Sequence, residues 1–139
     1  MQYIRILSLK HHWDDHHKRF TSLAFRPSSK DGAISVVQEN CAVETSGTIC
    51  SHIPRYYGGI ASDPPVFWPF SEEILPGHRK IELSPTEDPC HYNILELSKK
   101  EAEIIFRSFN VLANFSFCSE AGPARLTLEK ALEIRATYP

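Results

Sequence analysis

The chain has 139 residues, a length at which one domain buries most of its apolar surface without a structural metal or disulfide. Its 42% hydrophobic and 23% charged residues exclude the composition of a disordered chain, and a formal charge of -2 disfavours non-specific nucleic-acid binding. No window approaches the roughly 18 apolar residues of a membrane span, and Arg5 interrupts an N-terminal apolar stretch already too short for a signal-peptide core, so the expectation is a single soluble, cytoplasmic domain over residues 1–139.

Tyr3 to Leu9 place Ile4 and Ile6 on one side and Tyr3, Leu7 and Leu9 on the other, the pattern of a central strand covered on both faces. Asp14 and Asp15 suit the N-cap of a short helix through His16–Phe20. Phe25–Gly32 (FRPSSKDG) reads as a turn and Ala33–Val37 as the strand after it. Glu44–Arg55 reads as a short irregular element, weakened by Gly47 and stopped by Pro54. Residues 56–89 hold Pro64, Pro65, Pro69, Pro76, Pro85 and Pro89 together with five aromatics, which predicts an ordered loop packed on the body rather than a linker. His91–Leu97 alternates as a strand. Ser98 and Glu101 have capping-box spacing, and Ala102, Ile105, Phe106, Phe109, Leu112 and Ala113 then recur with helical period. Gly122-Pro123 breaks the chain, and Thr127 caps a terminal helix to Thr137 with Leu128, Ala131, Leu132 and Arg135 on one side.

The expected fold is α+β: three or four strands with at least one antiparallel pair, packed against the long amphipathic helix and a C-terminal helix. Cys41, Cys50, Cys90 and Cys118 show neither C-x-x-C spacing nor a disulfide-scaffold pattern, so reduced, mostly buried thiols are expected; three pairings are open if they bridge.

Four features carry candidate chemistry. The run HHWDDHH offers His12 and His16 four apart, with Asp15, as ligands for a divalent transition metal such as Zn²⁺ if the segment is helical. In DPCHYN (residues 88–93), strand alternation puts His91 and Asn93 on one face as acid/base and orienter, and Arg26 and Ser28 would hold the anion of a phosphorylated substrate. Ser46 or Cys50 beside His52 invites a nucleophile reading, which the local spacing does not support. Arg55, Tyr56, Tyr57, Phe67, Trp68 and Phe70 are the residue types of a partner-binding surface.

FRPSSKDGAISV followed by DPCHYNI and an amphipathic helix is similar to a loose group of small uncharacterised bacterial proteins. The resemblance implies a bacterial cytoplasmic protein and carries no activity onto Ser28, Asp31, His91 or Asn93; the histidine run lies outside it. The expected function is a protein-interaction module or small subunit of a bacterial regulatory, toxin-antitoxin or defence assembly, its partner another protein, with a homo-oligomer open. The alternatives are a small hydrolase or transferase acting on a phosphorylated or nucleotide substrate, and a metal-binding protein using the histidine cluster.

Overall fold

Strand β1 (Gln2–Leu7) does what its two-sided pattern demands: Tyr3 and Leu7 join one buried cluster and Ile4 the other. It lies in the middle of a seven-stranded antiparallel sheet in the computed structural model, which describes residues 1–58 and 64–139. The other members are β4 (Ile34–Gln38), β5 (Val66–Ser71), β6 (Lys80–Leu83), β7 (His91–Leu95), β8 (Ser116–Ser119) and β9 (Gly122–Arg125), in the order β6-β7-β4-β1-β5-β8-β9. A small hairpin of β2 (Trp13–Asp14) and β3 (Arg19–Phe20) stands apart. Five α-helices complete the described residues: α1 (Leu9–His12), α2 (Glu39–Ser46), α3 (Ile49–Tyr57), α4 (Lys99–Phe109) and α5 (Leu128–Thr137).

The molecule is α+β, but the expected sheet of three or four strands is too small. Three strand regions of this sheet were hidden: β5 and β6, both inside the loop expected over 56–89, and the β8–β9 hairpin. VFWPFS reads as loop because of Pro69, yet β5 pairs with β1 along its whole length, from Gln2↔Ser71 to Leu7↔Val66. Proline is tolerated here because β8 pairs only with Val66 and Phe67, so no ladder bond is lost on that side at residue 69. The β8–β9 hairpin occupies what reads as a break: Gly122 supplies a positive φ of 105° and Pro123 sits on the edge strand β9.

Two further expectations are corrected locally. Asp14 caps a turn instead of a helix: its Oδ1 accepts from the backbone N–H of His16 (2.9 Å) and His17 (3.1 Å) while Trp13–Asp14 pairs with Arg19–Phe20. Residues 44–55 are not irregular but belong to two helices. Gly47, at φ 85°, closes α2 by donating its N–H to the Val43 carbonyl, Thr48 caps α3 through Ser51 N–H, and α3 continues through Pro54 to Tyr57. Residues 59–63 of the expected loop lie outside the described residues.

The sheet separates two apolar layers. On one face Trp68, Val36, Ile94 and Phe70 meet Ala102 and Phe106 of α4, Ala131 and Ile134 of α5, and Trp13, Phe20 and Phe25. On the other, Ile4, Val37 and Phe67 meet Ala42 of α2 and Ile49 and Ile53 of α3. The capping box on α4 forms as spaced, Ser98 Oγ accepting from Glu101 N–H at 3.0 Å and Glu101 Oε1 from Ser98 N–H at 3.1 Å. The helix ends at Phe109, with Leu112 in a separate 3₁₀ turn. In α5 the inward residues are Ala131 and Ile134, whereas Leu128 and Leu132 are exposed.

The cysteines are not free thiols. Cys41 of α2 bonds Cys90 at the start of the β7 segment, and Cys50 of α3 bonds Cys118 of β8. The pairs are not legible from spacing, because their partners are 49 and 68 residues apart and meet only once α2 and α3 pack on the sheet.

Candidate functional site

The end of α2 and the first turns of α3 place Ser46 and His52 on either side of the Gly47-Thr48 break, and that break brings them together. Ser46 Oγ and His52 Nδ1 lie 2.8 Å apart. On the far side of the ring, His52 Nε2 is 2.9 Å from Asp88 Oδ1. With its proton on Nε2, the imidazole donates to Asp88 and accepts the Ser46 hydroxyl hydrogen at Nδ1. His52 is wholly buried and Asp88 nearly so, while Ser46 is partly open to solvent.

Asp88 is held from every direction. Its Oδ1 also accepts from Cys90 N–H at 2.8 Å, and its Oδ2 accepts from the Tyr57 hydroxyl at 2.6 Å. Burial, the hydrogen bond to Asp88 and the charge of Asp88 together push the Tyr57 phenol well above its ordinary pKa, so it stays a donor. The backbone carbonyl of Asp88 accepts from Thr86 Oγ1 (3.2 Å) and His91 N–H (3.3 Å), and the adjacent Cys41–Cys90 disulfide fastens this loop to α2.

Arg55, one turn beyond His52, donates through Nη1 to the Thr45 carbonyl at 3.2 Å and lies 3.5 Å from Ser46 Oγ, with its guanidinium 5.0 Å above the Tyr56 ring. A cavity of about 230 Å³ opens at the Asp88 end of the relay, lined by Tyr56, Tyr57, Thr86, Glu87, Asp88 and His91, and not by Ser46 or His52. A larger hollow of about 640 Å³ lies elsewhere, along Trp68, Phe70 and Phe109, and contains none of these groups.

His91 and Asn93 do share a face, being paired with Val37 and Ser35 of β4. His91 lines the relay cavity and a second one of about 70 Å³ between β1 and β4; neither is lined by Asn93. Its Nδ1 is buried with no partner, and burial lowers its pKa against the opposing pull of Asp88. Arg26 and Ser28 do not converge on it. Arg26 is exposed and lines neither cavity, and Ser28 spends its hydroxyl on Lys30 N–H, as Asp31 spends its carboxylate on Ala33 N–H, in a turn closed by Gly32 at φ 67°. The cation near His91 is Arg5, which sequence reading passed over: it lines the small cavity, and its Nε and Nη1 donate to the carbonyls of Ala24 (3.0 Å) and Ser35 (2.9 Å).

The structure does not gather His12, His16 and Asp15. His12 turns inward and accepts from Ser8 N–H at 3.0 Å, His16 sits exposed against the His17 ring, and Asp15 pairs with Arg135. Among the described residues, the group of metal-ligating types that lies close enough for one ion is His52, Asp88 and Cys90, whose ligand atoms are all within 4.8 Å of one another.

The partner-binding set is divided. Phe67, Trp68 and Phe70 are core residues of β5, Tyr56 and Tyr57 flank the relay half-buried, and of the set only Arg55 is exposed. The Ser46–His52–Asp88 line was partly visible in the sequence, since Ser46, His52 and Asp88 all lie in singled-out motifs. The helix break that folds Ser46 back onto His52 was missed, and so was the role of Asp88.

No family model matches the chain, and no curated protein or solved structure matches it.

Among the described residues no helix is long and apolar enough to cross a membrane.

Proposed function

We propose that the chain is a small hydrolase that acts by acyl transfer, with Ser46 as nucleophile, His52 as general base and Asp88 as the group that orients His52. The observation that carries this reading is the unbroken line from Ser46 Oγ through both ring nitrogens of His52 to Asp88. A serine hydroxyl is a poor nucleophile until a base takes its proton, and an imidazole held in one tautomer by a buried carboxylate is suited to that task. The ring is turned end for end relative to the usual arrangement, Nδ1 facing the hydroxyl, which leaves the acid–base chemistry unchanged.

In the first step the Ser46 oxygen bonds to the acyl carbon as its proton passes to His52 Nδ1. Collapse then expels the leaving alcohol, which takes that proton from His52. Water, deprotonated by the same nitrogen, cleaves the acyl-serine and restores the hydroxyl. Arg55 stands where a cation can stabilise the oxyanion in both steps, and Tyr57 keeps Asp88 from rotating away.

A fluorophosphonate probe tests the assignment, because it phosphonylates activated serines with loss of fluoride. Labelling of Ser46 in the wild type is expected, lost in Ser46→Ala and slowed on the order of 10³- to 10⁴-fold in Asp88→Asn. A folded wild type that stays unlabelled overturns the reading.

The two disulfides favour an oxidising compartment over the cytoplasm expected from the N-terminal stretch and the resemblance. A second reading, a protein-interaction module, is favoured by Leu128 and Leu132, one turn apart on α5 and 41% and 37% exposed. It predicts that Leu132→Glu leaves the fold intact and shortens the lifetime of any complex seen by native mass spectrometry.

A further inference from the structure

The pairing of β1 with β4 is short. It runs only through Tyr3↔Gln38 and Ile4↔Val37, although β4 keeps its pairing with β7 down to Ile34↔Ile94. Where β1 and β4 part lies a cavity of about 70 Å³, room for about two water molecules at their share of liquid volume. Ile4, Ile6, Val36 and Val37 give it aliphatic walls, with Tyr57 beside them.

Two polar groups of this cavity lack the partner their chemistry asks for. Arg5 lines it and spends Nε and Nη1 on the carbonyls of Ala24 (3.0 Å) and Ser35 (2.9 Å). Among the described residues no carboxylate pairs with this guanidinium, and no Asp or Glu lines the cavity. Burial pulls the Arg5 pKa down from 12.5 to about 10, the mark of a cation drawn out of water without a counter-charge. His91 lines the same cavity, and its Nδ1 is buried with no hydrogen-bond partner, whereas buried polar groups are as a rule satisfied. Tyr57 does not fill the need, because its hydroxyl donates to Asp88. A cation with donors to spare, an orphan ring nitrogen and aliphatic walls around so small a space are the complement of an anion with a short apolar end.

We propose that this cavity is a binding site for a small monocarboxylate of the size of acetate, held by Arg5 and His91. The carboxylate accepts from Arg5 Nη2 and from a proton on His91 Nδ1, and charge-assisted bonds of this kind are what a guanidinium makes best with a planar acid. The methyl end lies against the four aliphatic side chains. A halide leaves those walls without contact, and a phosphate sets hydrated, doubly charged oxygens against them. The site does not rest on the hydrolase reading: labelling of Ser46 reports on the relay, and carboxylate titration reports on this cavity.

The full oxidised chain, carrying ¹⁵N-labelled histidine and dialysed free of carboxylates into a bulky sulfonate buffer, is titrated with sodium acetate at constant ionic strength and followed by NMR. A saturable shift of the His91 ring nitrogens is expected, their resonances assigned by their loss in His91→Phe. In the free chain Arg5 from β1 and Asp88 from the loop before β7 act on this ring with opposite signs; bound acetate adds negative charge and should raise the His91 pKa. Acetamide, of like size and uncharged, should leave the ring unmoved, as should pivalate, charged but too bulky. Arg5→Met should weaken acetate binding about tenfold or more, the loss expected when a charge-assisted hydrogen bond is removed. The wild-type titrations need no variant to fold. Absence of a saturable His91 shift overturns the proposal, as does an equal response to chloride or acetamide, or a folded Arg5→Met that binds acetate as tightly as the wild type.

Discussion

Asp88 is the residue on which most of the polar interior depends. Five donors reach its two carboxylate oxygens and its own carbonyl, from α3 and from the segment between Thr86 and the start of β7, and all but Thr86 belong to buried or half-buried residues. Removing one donor from such a site leaves an acceptor without water or partner, at a cost of about 1–3 kcal/mol. Tyr57→Phe deletes only the hydroxyl that reaches Oδ2, so its stability by urea denaturation is expected to fall by that amount with no loss of packing. His12 makes a different statement. Burial, then the nearby charge of Arg5 and His11, lowers its pKa from 6.5 to about 4, and its Nδ1 accepts from Ser8 N–H, a bond that only the neutral ring can make. The unfolded chain therefore binds a proton between pH 6.5 and 4 that the folded chain refuses, so stability is lost as pH falls through that window. Allowing for the ring's partial exposure the loss is on the order of 2 kcal/mol. Comparing urea midpoints at pH 7 and pH 4.5 for wild type and His12→Asn checks it: the fall should be smaller in the variant.

At the scale of elements, what was legible depended on how local the determining interaction is. The Ser98–Glu101 box needs only its own four residues, and it forms with both hydrogen bonds; Ser98→Ala should lower the melting temperature in line with a loss of about 1 kcal/mol. Thr127 caps α5 for the same reason. Strand β5 was illegible because the evidence for it is nonlocal: Pro69 argues against a strand, and only the register with β1 and the early end of β8 remove the objection. Gly47 was misread for a related cause. A glycine in a helical pattern signals weakness, whereas here its positive φ separates two helices and turns Ser46 towards His52. Gly47→Ala is expected to be destabilising, about 1 kcal/mol from backbone strain, although nothing lies within 4 Å of the added methyl. The expected ligands His12, His16 and Asp15 are not brought together for a reason at this scale too: Trp13 begins a hairpin and not a helix.

Across the whole molecule, one face of the sheet carries the large aromatic core and the other carries the polar line beneath α2 and α3. Trp68 is the centre of the first, with Phe25, Phe70, Phe106, Phe109 and Phe115 rings all within 6.3 Å of it. Trp68→Ala should cost about 3–5 kcal/mol and should lower the fluorophosphonate labelling rate only as far as it unfolds the chain, since the two clusters lie on opposite sides of β5. The candidate chemistry was legible as residue types, with Ser46, His52 and Asp88 each inside a motif. Their grouping was not, because α3 and the loop before β7 are 36 residues apart at the His52–Asp88 contact.

The two disulfides interleave along the chain, 41 with 90 and 50 with 118. Every peptide bond between Cys41 and Cys118 is therefore bridged by at least one of them, and those from Cys50 to Cys90 by both. A protease that nicks the backbone once anywhere in that stretch, including residues 59–63, yields a species that gains the mass of one water and still migrates as a single band without reductant. Two fragments separate only when reductant is added. Cut and tied in this way, the oxidised chain should survive a lytic environment as one covalent object.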